Sequence, residues 1–238
     1  KDYLERILRL KPEFSEGLQS LAYSSGRSGL SPRLVAQALD LTQKILRGTY
    51  RYSNGEEQIV LEDGKYVKIN FSSSGQQECV WILNLLFYYL VQQKEILFII
   101  EEPESHLFPK SQKYITELIA LVNNCGHSIV LTTHSPYVLG TLNNLLYAKT
   151  ISPQARKEAN KIIRESLWLD YNAFDSWFVK NGTIENCMDA DIHMIQNEKI
   201  DEISKVINED FERLLEMKKN NRKTHSKSIE KSIVKSYD

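Results

Sequence analysis

The stretch Ile96-Leu97-Phe98-Ile99-Ile100-Glu101-Glu102-Pro103-Glu104 decides the fold that this sequence predicts. A short apolar run bounded by polar residues indicates a buried β-strand. Two adjacent carboxylates, Glu101 and Glu102, follow at the carboxyl end of this strand. Ligands of open α/β sheets bind beyond the carboxyl ends of the strands, so we expect both carboxylates to face a functional site.

Two further segments flank this strand. Upstream, Ser72-Ser73-Ser74-Gly75-Gln76-Gln77-Glu78 is a Ser/Gly-rich turn that opens an apolar helix, predicted over residues 76–93. Downstream, a strand predicted over residues 128–132 ends in Thr132-Thr133-His134-Ser135, and a helix over residues 110–124 connects the two strands. Ser135-Pro136 opens another helix, and Leu145–Ala148 is predicted as the next strand. The alternation predicts an α/β fold with a parallel sheet.

These three segments, in this order, resemble the C-terminal half of an ABC-type ATPase head. Ser72–Gln76 resembles the signature motif, Ile96–Glu102 the Walker B strand, and His134 the switch histidine. Residues 100–109 are similar to one branch in particular, the overcoming-lysogenization-defect (OLD) ATPases and the related ATPases of anti-phage systems, such as the Septu- and retron-associated ones. The resemblance is specific over residues 70–140 and vaguer to residue 216.

The resemblance implies ATP and Mg²⁺ as cofactors and assigns a role to each residue of the predicted site. Glu102 would be the catalytic general base, Glu101 would hold magnesium through water, and His134 would hydrogen-bond the γ-phosphate. The signature residues would contact the γ-phosphate of an ATP held by the opposite subunit of a head-to-tail homodimer: Ser73, Ser74, Gly75 and Gln76. Glu104–Phe108 resembles the D-loop, with Phe108 in place of the common aspartate.

Each segment also has a purely structural interpretation. The serines could simply cap a core helix, the Glu pair could be solvated, and His134 could be a structural histidine. A metal pair of His106 and His134 is disfavoured. Asp189-Ala-Asp191 fits the end of a hairpin better than a nuclease metal site, because no partner glutamate segment accompanies it.

A phosphate loop of the form G-x-x-x-x-G-K-[ST] is missing from the sequence, although an ATPase of this class needs one. The Gly64-Lys65 pair is followed by Tyr66, and Ile59 stands where the first glycine belongs. The chain begins with Lys1 inside an apparent helix. We therefore expect the phosphate loop to lie upstream, in sequence beyond this chain.

The remaining sequence predicts four regions. The resemblance implies that residues 1–48 are a helical insertion or lid region and that residues 49–150 are the C-terminal half of the ATPase core. The core begins with β-strands over residues 49–71, connected by turns at Asn54-Gly55 and Asp63-Gly64. Residues 151–217 contain a hairpin and an amphipathic helix, predicted over residues 198–217, and residues 218–238 form a basic, disordered tail.

Net charge, apolar content and cysteine spacing limit the classes of function that this chain can have. The chain has 238 residues and a net charge of −1, so no overall field selects nucleic acid or membrane as a partner. The apolar stretch Val80–Val91 is too short to span a bilayer. An odd number of widely spaced cysteines, Cys79, Cys125 and Cys187, suits reduced thiols in the cytoplasm.

The predicted function is ATP binding and hydrolysis by a cytoplasmic dimer that controls a partner effector, a nuclease or toxin, in anti-phage defence. The last step follows from the resemblance alone. Two alternatives stay open: a RecF-like DNA-repair ATPase, and an ATP-bound scaffold that hydrolyses little. Nucleic acid remains open as a further partner, because the basic tail could contact phosphates.

Overall fold

A computed structural model of the chain describes residues 2–24, 29–196, 206–215 and 217. The chain divides into two compact units, Lys1–Gln196 and Asn197–Asp238. All of the predicted site residues lie in the first unit.

The first unit begins with helices, as predicted. They are α1 (Asp2–Leu10), a 3₁₀ turn (Lys11–Phe14), α2 (Gly17–Ser24) and α3 (Pro32–Leu46). The start of α3 follows from its sequence, because the Ser31 side chain accepts a hydrogen bond from the backbone N–H of Leu34 and Pro32 occupies the first turn. The face of α3 that enters the core has helical spacing: Ala38, Leu41, Ile45 and Leu46.

An antiparallel sheet follows the helices. It contains β1 (Thr49–Ser53), β2 (Glu56–Val60) and β3 (Tyr66–Lys68). The predicted turns are confirmed: Asn54 and Gly55 both have positive φ, at 54° and 78°, and Gly64 has φ 81°. The last predicted strand residues, Ile69–Phe71, instead form a 3₁₀ turn that leads into the next helix.

Glu57 of β2 contacts residues of the helical region, of this sheet and of the helix that carries Trp81. Its Oε2 lies 2.7 Å from Lys11 Nζ, and its Oε1 accepts hydrogen bonds from Trp81 Nε1 (2.8 Å) and Tyr50 Oη (2.9 Å). The rings of Phe14, Tyr50 and Trp81 pack edge-to-face beside it. Glu57 thereby satisfies the donors of the buried Tyr50 and the half-buried Trp81 with one carboxylate.

The part that carries the predicted site alternates helix and strand. It comprises α4 (Ser74–Gln92), β4 (Leu97–Glu101), α5 (Pro109–Asn124), β5 (Ser128–Thr132) and α6 (Pro136–Thr150). Strands β4 and β5 are parallel, in a register that runs from Leu97 opposite Ser128 to Glu101 opposite Thr132. The apolar helix α4 is buried along much of its length, as predicted. The mixed α/β class and the parallel pairing are confirmed.

Two predictions in this part are wrong. Leu145–Ala148 is not a strand but the last turns of α6, whose apolar side chains Leu142, Leu145 and Leu146 are buried at helical spacing. Strand β4 is not buried on both faces: Leu97 is 60% and Ile99 73% exposed, whereas Ile100 is buried. Among the described residues, helices cover only one face of the β4–β5 pair, so alternate residues of β4 remain open to solvent.

The first unit ends in short elements. Helix α7 (Arg156–Ile162) comes first, and β6 (Trp177–Lys180) pairs with β7 (Thr183–Asn186) in the expected hairpin. Strands β8 (Met188–Asp189) and β9 (Met194–Ile195) follow.

In the second unit, residues 206–215 are helical, within the amphipathic helix predicted over residues 198–217. Its apolar side chains Ile207, Phe211, Leu214 and Leu215 are exposed. The tail predicted over residues 218–238 lies outside the described residues. Of the helices described, none combines the length and the apolar character that crossing a membrane requires.

Candidate functional site

The two predicted site strands end side by side. Because β4 and β5 are parallel and in register, Glu101 lies opposite Thr132, and the residues after each strand leave the sheet at the same edge. The backbone N–H of Glu102 donates to the carbonyl oxygen of Thr132 (3.1 Å) and to its hydroxyl (3.3 Å). Glu102 has φ +42°, a left-handed conformation that costs a non-glycine residue energy and that occurs preferentially at functional sites.

Glu102 and His134 are in direct contact. His134 Nε2 lies 3.2 Å from Glu102 Oε1, and Ser105 Oγ donates to Glu102 Oε2 at 3.3 Å. Both side chains are exposed, at 86% for His134 and 48% for Glu102. They line an open pocket of ≈ 320 Å³ with Ser105, Gln112 and Tyr137. A carboxylate and an imidazole that face solvent in one pocket can position a water molecule and hold or accept its proton.

Glu104, in the loop after β4, is hydrogen-bonded to the loop after β5. This glutamate is buried, and its Oε1 accepts hydrogen bonds from the Thr133 hydroxyl and from the backbone N–H of His134 (3.1 Å). Its second oxygen, Oε2, is also buried and has no hydrogen-bond partner among the described residues. Glu104 therefore fixes the backbone from which the His134 side chain reaches Glu102.

Ser135 continues this network into α5 and α6. Its hydroxyl donates to Gln112 Oε1 on α5 and accepts from the backbone N–H groups of Tyr137 (3.1 Å) and Val138 (3.3 Å) at the start of α6. The backbone N–H of Ser135 donates to the Thr133 hydroxyl at 3.0 Å. The loop that carries His134 is thus held at both ends by side chains of neighbouring elements.

The predicted signature residues form the start of α4. Ser73 is its N-cap and forms a capping box with Gln76, in which the Ser73 hydroxyl accepts from the Gln76 backbone N–H (3.4 Å) and the Ser73 N–H donates to Gln76 Oε1 (3.1 Å). The Ser73 hydroxyl also lies 3.0 Å from Gln76 Oε1, to which it donates. Gln76 Nε2 also donates to the carbonyl oxygen of Leu46, at the end of α3. Ser73 and Ser74 are exposed, whereas Gly75 is buried.

Gly75 lies against the loop that follows β4. A Cβ atom added to Gly75 would lie 2.5 Å from the carbonyl oxygen of His106, closer than real Cβ contacts come. His106 has φ 56°, and its Nε2 lies 3.5 Å from Glu78 Oε1 on α4. The loop of Glu104–Phe108 therefore touches the start of α4 on one side and, through Glu104, the His134 backbone on the other.

The structure groups the predicted residues into two sets. Glu101, Glu102 and His134 lie at the sheet edge, and Ser73, Ser74, Gly75 and Gln76 lie at the start of α4. Among the described residues, no hydrogen bond or ion pair joins the two sets. The capping box agrees with the structural interpretation of the serines, and it leaves the exposed Ser73–Ser74 end of the helix accessible to an anion.

Glu101 suits a magnesium ion by its chemistry. Its carboxylate is exposed at the strand end and makes no hydrogen bond with another described residue, and Mg²⁺ is bound through one or two carboxylates, waters and substrate phosphates. No group of three or more His, Cys, Asp or Glu side chains within the described residues is arranged to hold a metal ion. Any magnesium at Glu101 would therefore take most of its ligands from water and phosphate.

Two other motifs have local structural roles. Gly64-Lys65 forms the β2–β3 turn, in which Lys65 Nζ contacts Asp63 at 2.8 Å, so this pair is not a phosphate loop. Asp189 Oδ1 accepts hydrogen bonds from the backbone N–H groups of Asp191 (2.9 Å) and Ile192 (3.2 Å), which is an Asx turn. This turn lies in the connection between the paired strands β8 and β9.

Two contacts of the site were not predicted from the sequence: that of Glu104 with the His134 backbone and that of Gln112 with Ser135. A signal for the first was present: a parallel register that pairs Glu101 with Thr132 brings the residues after each strand to one edge. The second depends on the packing of α5 against the loop, for which the sequence carries no comparable pattern.

Comparisons with known proteins indicate an ATPase domain. A family model described as "AAA ATPase domain" matches residues 3–139. The chain is also 31% identical over 98 residues to the cytochrome c biogenesis ATP-binding export protein CcmA of Bartonella quintana (strain Toulouse). This match covers 41% of the chain and spans 45% of the length of that curated relative.

Proposed function

Because the chain belongs to the family of AAA ATPase domains, we propose that it binds ATP with magnesium and hydrolyses it in a dimer that controls a partner effector. The observation that carries the proposal is the contact of Glu102 with His134, 3.2 Å apart at the adjoining carboxyl ends of two parallel strands. That edge is where α/β folds place their ligands.

Each residue at the sheet edge has one task in this proposal. Glu102 orients the attacking water and accepts its proton. His134 donates a hydrogen bond to the γ-phosphate, and Glu101 holds magnesium, which neutralises phosphate charge when it is bound. Phosphoryl transfer depends mainly on positioning and charge stabilisation, so Glu102 would position the nucleophile and His134 would contact the phosphate on which charge develops.

The proposed dimer is head-to-tail, with each site composed of residues from two subunits. Ser73, Ser74, Gly75 and Gln76 would contact the γ-phosphate of the nucleotide bound to the opposite subunit. Two features support this arrangement. The exposed start of α4 carries the partial positive charge of a helix N-terminus, which suits an anion, and its residues form no hydrogen bond, within the described part of the chain, with the Glu102–His134 pair.

The proposed effector is a nuclease or toxin of an anti-phage defence system. Its support is the similarity of residues 100–109 to the OLD branch and the related defence ATPases. Closure of an ATP-bound dimer and its release after hydrolysis would give such an effector two distinguishable states.

Glu102→Gln in the full-length protein tests the proposal. The amide keeps the shape of the side chain but cannot accept a proton, so kcat for ATP hydrolysis should fall by about two to four orders of magnitude. ATP affinity should be retained, and the ATP-bound dimer should accumulate in size-exclusion chromatography.

Glu62→Gln is the matched control, because Glu62 is an exposed glutamate on the β2–β3 turn, away from the site. Its turnover should equal that of the unchanged protein. Equal turnover in Glu102→Gln would remove Glu102 from the role of base. Tight ATP binding without turnover in the unchanged protein would instead identify the chain as an ATP-bound scaffold.

A further inference from the structure

A second pocket lies at the far end of α4 from the signature residues. It has a volume of ≈ 670 Å³ and is formed between α1 and the end of α4. Tyr88 is about 22 Å along the helix from Ser73, because each helical residue advances the axis by about 1.5 Å. The pocket shares no lining residue with the Glu102–His134 pocket.

The lining of this pocket is positively charged. Arg6, Arg9 and Lys94 contribute three cations, against one carboxylate from Glu5. All three cations are exposed, and none forms an ion pair with another residue that the structure describes. Their charges are therefore available to an anion, and two arginines can each bind a phosphate group through paired N–H donors.

The pocket also contains a planar surface. The Arg6 guanidinium carbon lies 5.0 Å from the centre of the buried Tyr89 ring, so the guanidinium stacks on that ring. Tyr88 is half-buried and stands perpendicular to Tyr89, with their centres 5.2 Å apart. Burial raises the pKa of Tyr88, and the nearby Glu13 carboxylate adds to this shift. An aromatic ligand ring could stack on the Arg6 plane or on the open part of Tyr88.

We propose that the α1–α4 pocket, formed by Arg6, Arg9, Tyr88, Tyr89, Gln92 and Lys94, binds a nucleoside phosphate. The cations hold the phosphate, the Arg6 and Tyr88 surfaces stack on the base, and the Gln92 amide contacts its polar edge. A bare phosphate would leave most of the pocket empty, since cavities of this size hold ligands of roughly drug size. The ligand is a free nucleotide or one unit of a single strand, which share this chemistry.

Equilibrium binding to the full-length protein tests the proposal, with fluorescent AMP and a fluorescent ten-nucleotide oligothymidylate as probes. The variant Arg6→Gln/Arg9→Gln/Lys94→Gln should weaken binding of AMP at least about tenfold, because charge-assisted hydrogen bonds to phosphate are among the strong ones. Arg33→Gln/Lys110→Gln/Lys149→Gln removes the same charge from exposed positions outside the pocket and should change binding less than about twofold.

The two sources of the ligand give different results. If the ligand is a free nucleotide, the oligothymidylate binds no more tightly than AMP. If it is a strand, the oligothymidylate binds more tightly and its affinity falls with salt at a logarithmic slope of about −2, as expected when three cations neutralise phosphates of a single strand. Tyr88→Leu should weaken binding of either probe without affecting competition by inorganic phosphate.

Several results would overturn the proposal: no binding of either probe, equal loss in both triple variants, or inorganic phosphate competing as well as AMP. Lys94→Gln alone, at an exposed position after α4, provides the test if the triple variant melts at a lower temperature. The outcome is independent of the proposed hydrolysis. The pocket variant should retain the ATP turnover of the unchanged protein, whereas absence of turnover in the unchanged protein would affect only the proposed function.

Discussion

The backbone of Gly75 lies so close to the carbonyl oxygen of His106 that a Cβ atom on Gly75 would be 2.5 Å from it. This contact seats the start of α4 on the loop that follows β4, and the same loop holds His134 through Glu104. Gly75 therefore has a packing requirement in addition to its proposed contact with a phosphate.

Gly75→Ala should lower the free energy of unfolding by about 1–3 kcal/mol, because the clash involves backbone atoms that cannot rotate away. Glycine-to-alanine changes inside helices usually stabilise by about 1 kcal/mol, so the sign of the effect is diagnostic. Gly140→Ala in α6 is the matched control: nothing lies within 4 Å of the added Cβ, and it should stabilise the protein. Denaturant unfolding of both variants measures the difference, and stabilisation by Gly75→Ala would contradict the close contact.

Glu104→Ala should lower kcat for ATP hydrolysis by up to about a hundredfold, because His134 loses the acceptor that fixes its backbone and small displacements at a reacting site are costly. Glu104→Gln keeps one acceptor oxygen for Thr133 and His134 and should recover most of this loss. The ratio of kcat between the two variants is the informative measurement. Equal losses in both, with unchanged melting temperatures, would point to the charge of Glu104 instead of its hydrogen bonds.

Much of the fold around the site could be predicted because local signals and tertiary packing agree there. The Ile- and Phe-rich run before Glu101-Glu102 favours a strand and the Asn54-Gly55 pair favours a tight turn, and both preferences suit the sheet. The strand prediction for Leu145–Ala148 was wrong because a short apolar segment fits a strand or a buried helix equally well. These residues are helical because they continue the helix that begins at Pro136.

Some contacts of the candidate site could likewise be predicted from the sequence, and others could not. The contact of Glu102 with His134 could be anticipated, because both follow parallel strands and such strand ends share an edge. The buried bonds of Glu104 and Gln112 depend on side-chain positions after packing, which no spacing rule specifies. The exposure of Ile99 was missed because the apolar run indicates burial without indicating which element covers each face.

His127 should make stability depend on pH. Its ring is buried beside Phe98, and this burial lowers its pKa below the ordinary 6.5, although Glu95 acts in the opposite direction. The unfolded chain therefore binds the proton first as pH falls, so the folded state should lose stability as pH falls below about 6.5. His127→Leu should reduce the difference in unfolding free energy between pH 7.5 and 5.5, measured in denaturant titrations.

Glu95→Gln should change the pH dependence of stability in the opposite sense to His127→Leu. It removes the carboxylate that raises the His127 pKa, so the loss of stability at low pH should become larger. Identical pH profiles for the unchanged protein and both variants would show that His127 keeps its ordinary pKa.

Ser73→Arg should block closure of the composite site to which that residue contributes and leave nucleotide binding by each subunit nearly intact, because the arginine would occupy the space of the γ-phosphate of the facing subunit. Ser73 is also the N-cap of α4, and loss of its capping oxygen costs about 1 kcal/mol. Ser73→Ala is therefore the control: it loses the cap without adding bulk and should retain the greater part of the turnover. Equal turnover in the two variants would show that turnover is lost because α4 loses its N-cap, and not because of the bulk of the arginine.

Mixing Ser73→Arg with Glu102→Gln tests whether the two residue sets act across subunits. In a head-to-tail dimer, a mixed pair places both lesions in one site and leaves the other site with an unchanged Ser73 and an unchanged Glu102. An equal mixture should then recover up to about a quarter of full turnover, since half of the dimers are mixed and each has one intact site. If both residue sets instead served the same chain's nucleotide, every site would carry one lesion and mixing would recover nothing. Steady-state ATP hydrolysis after co-refolding or co-expression of the two variants distinguishes these arrangements, provided that each variant alone is inactive.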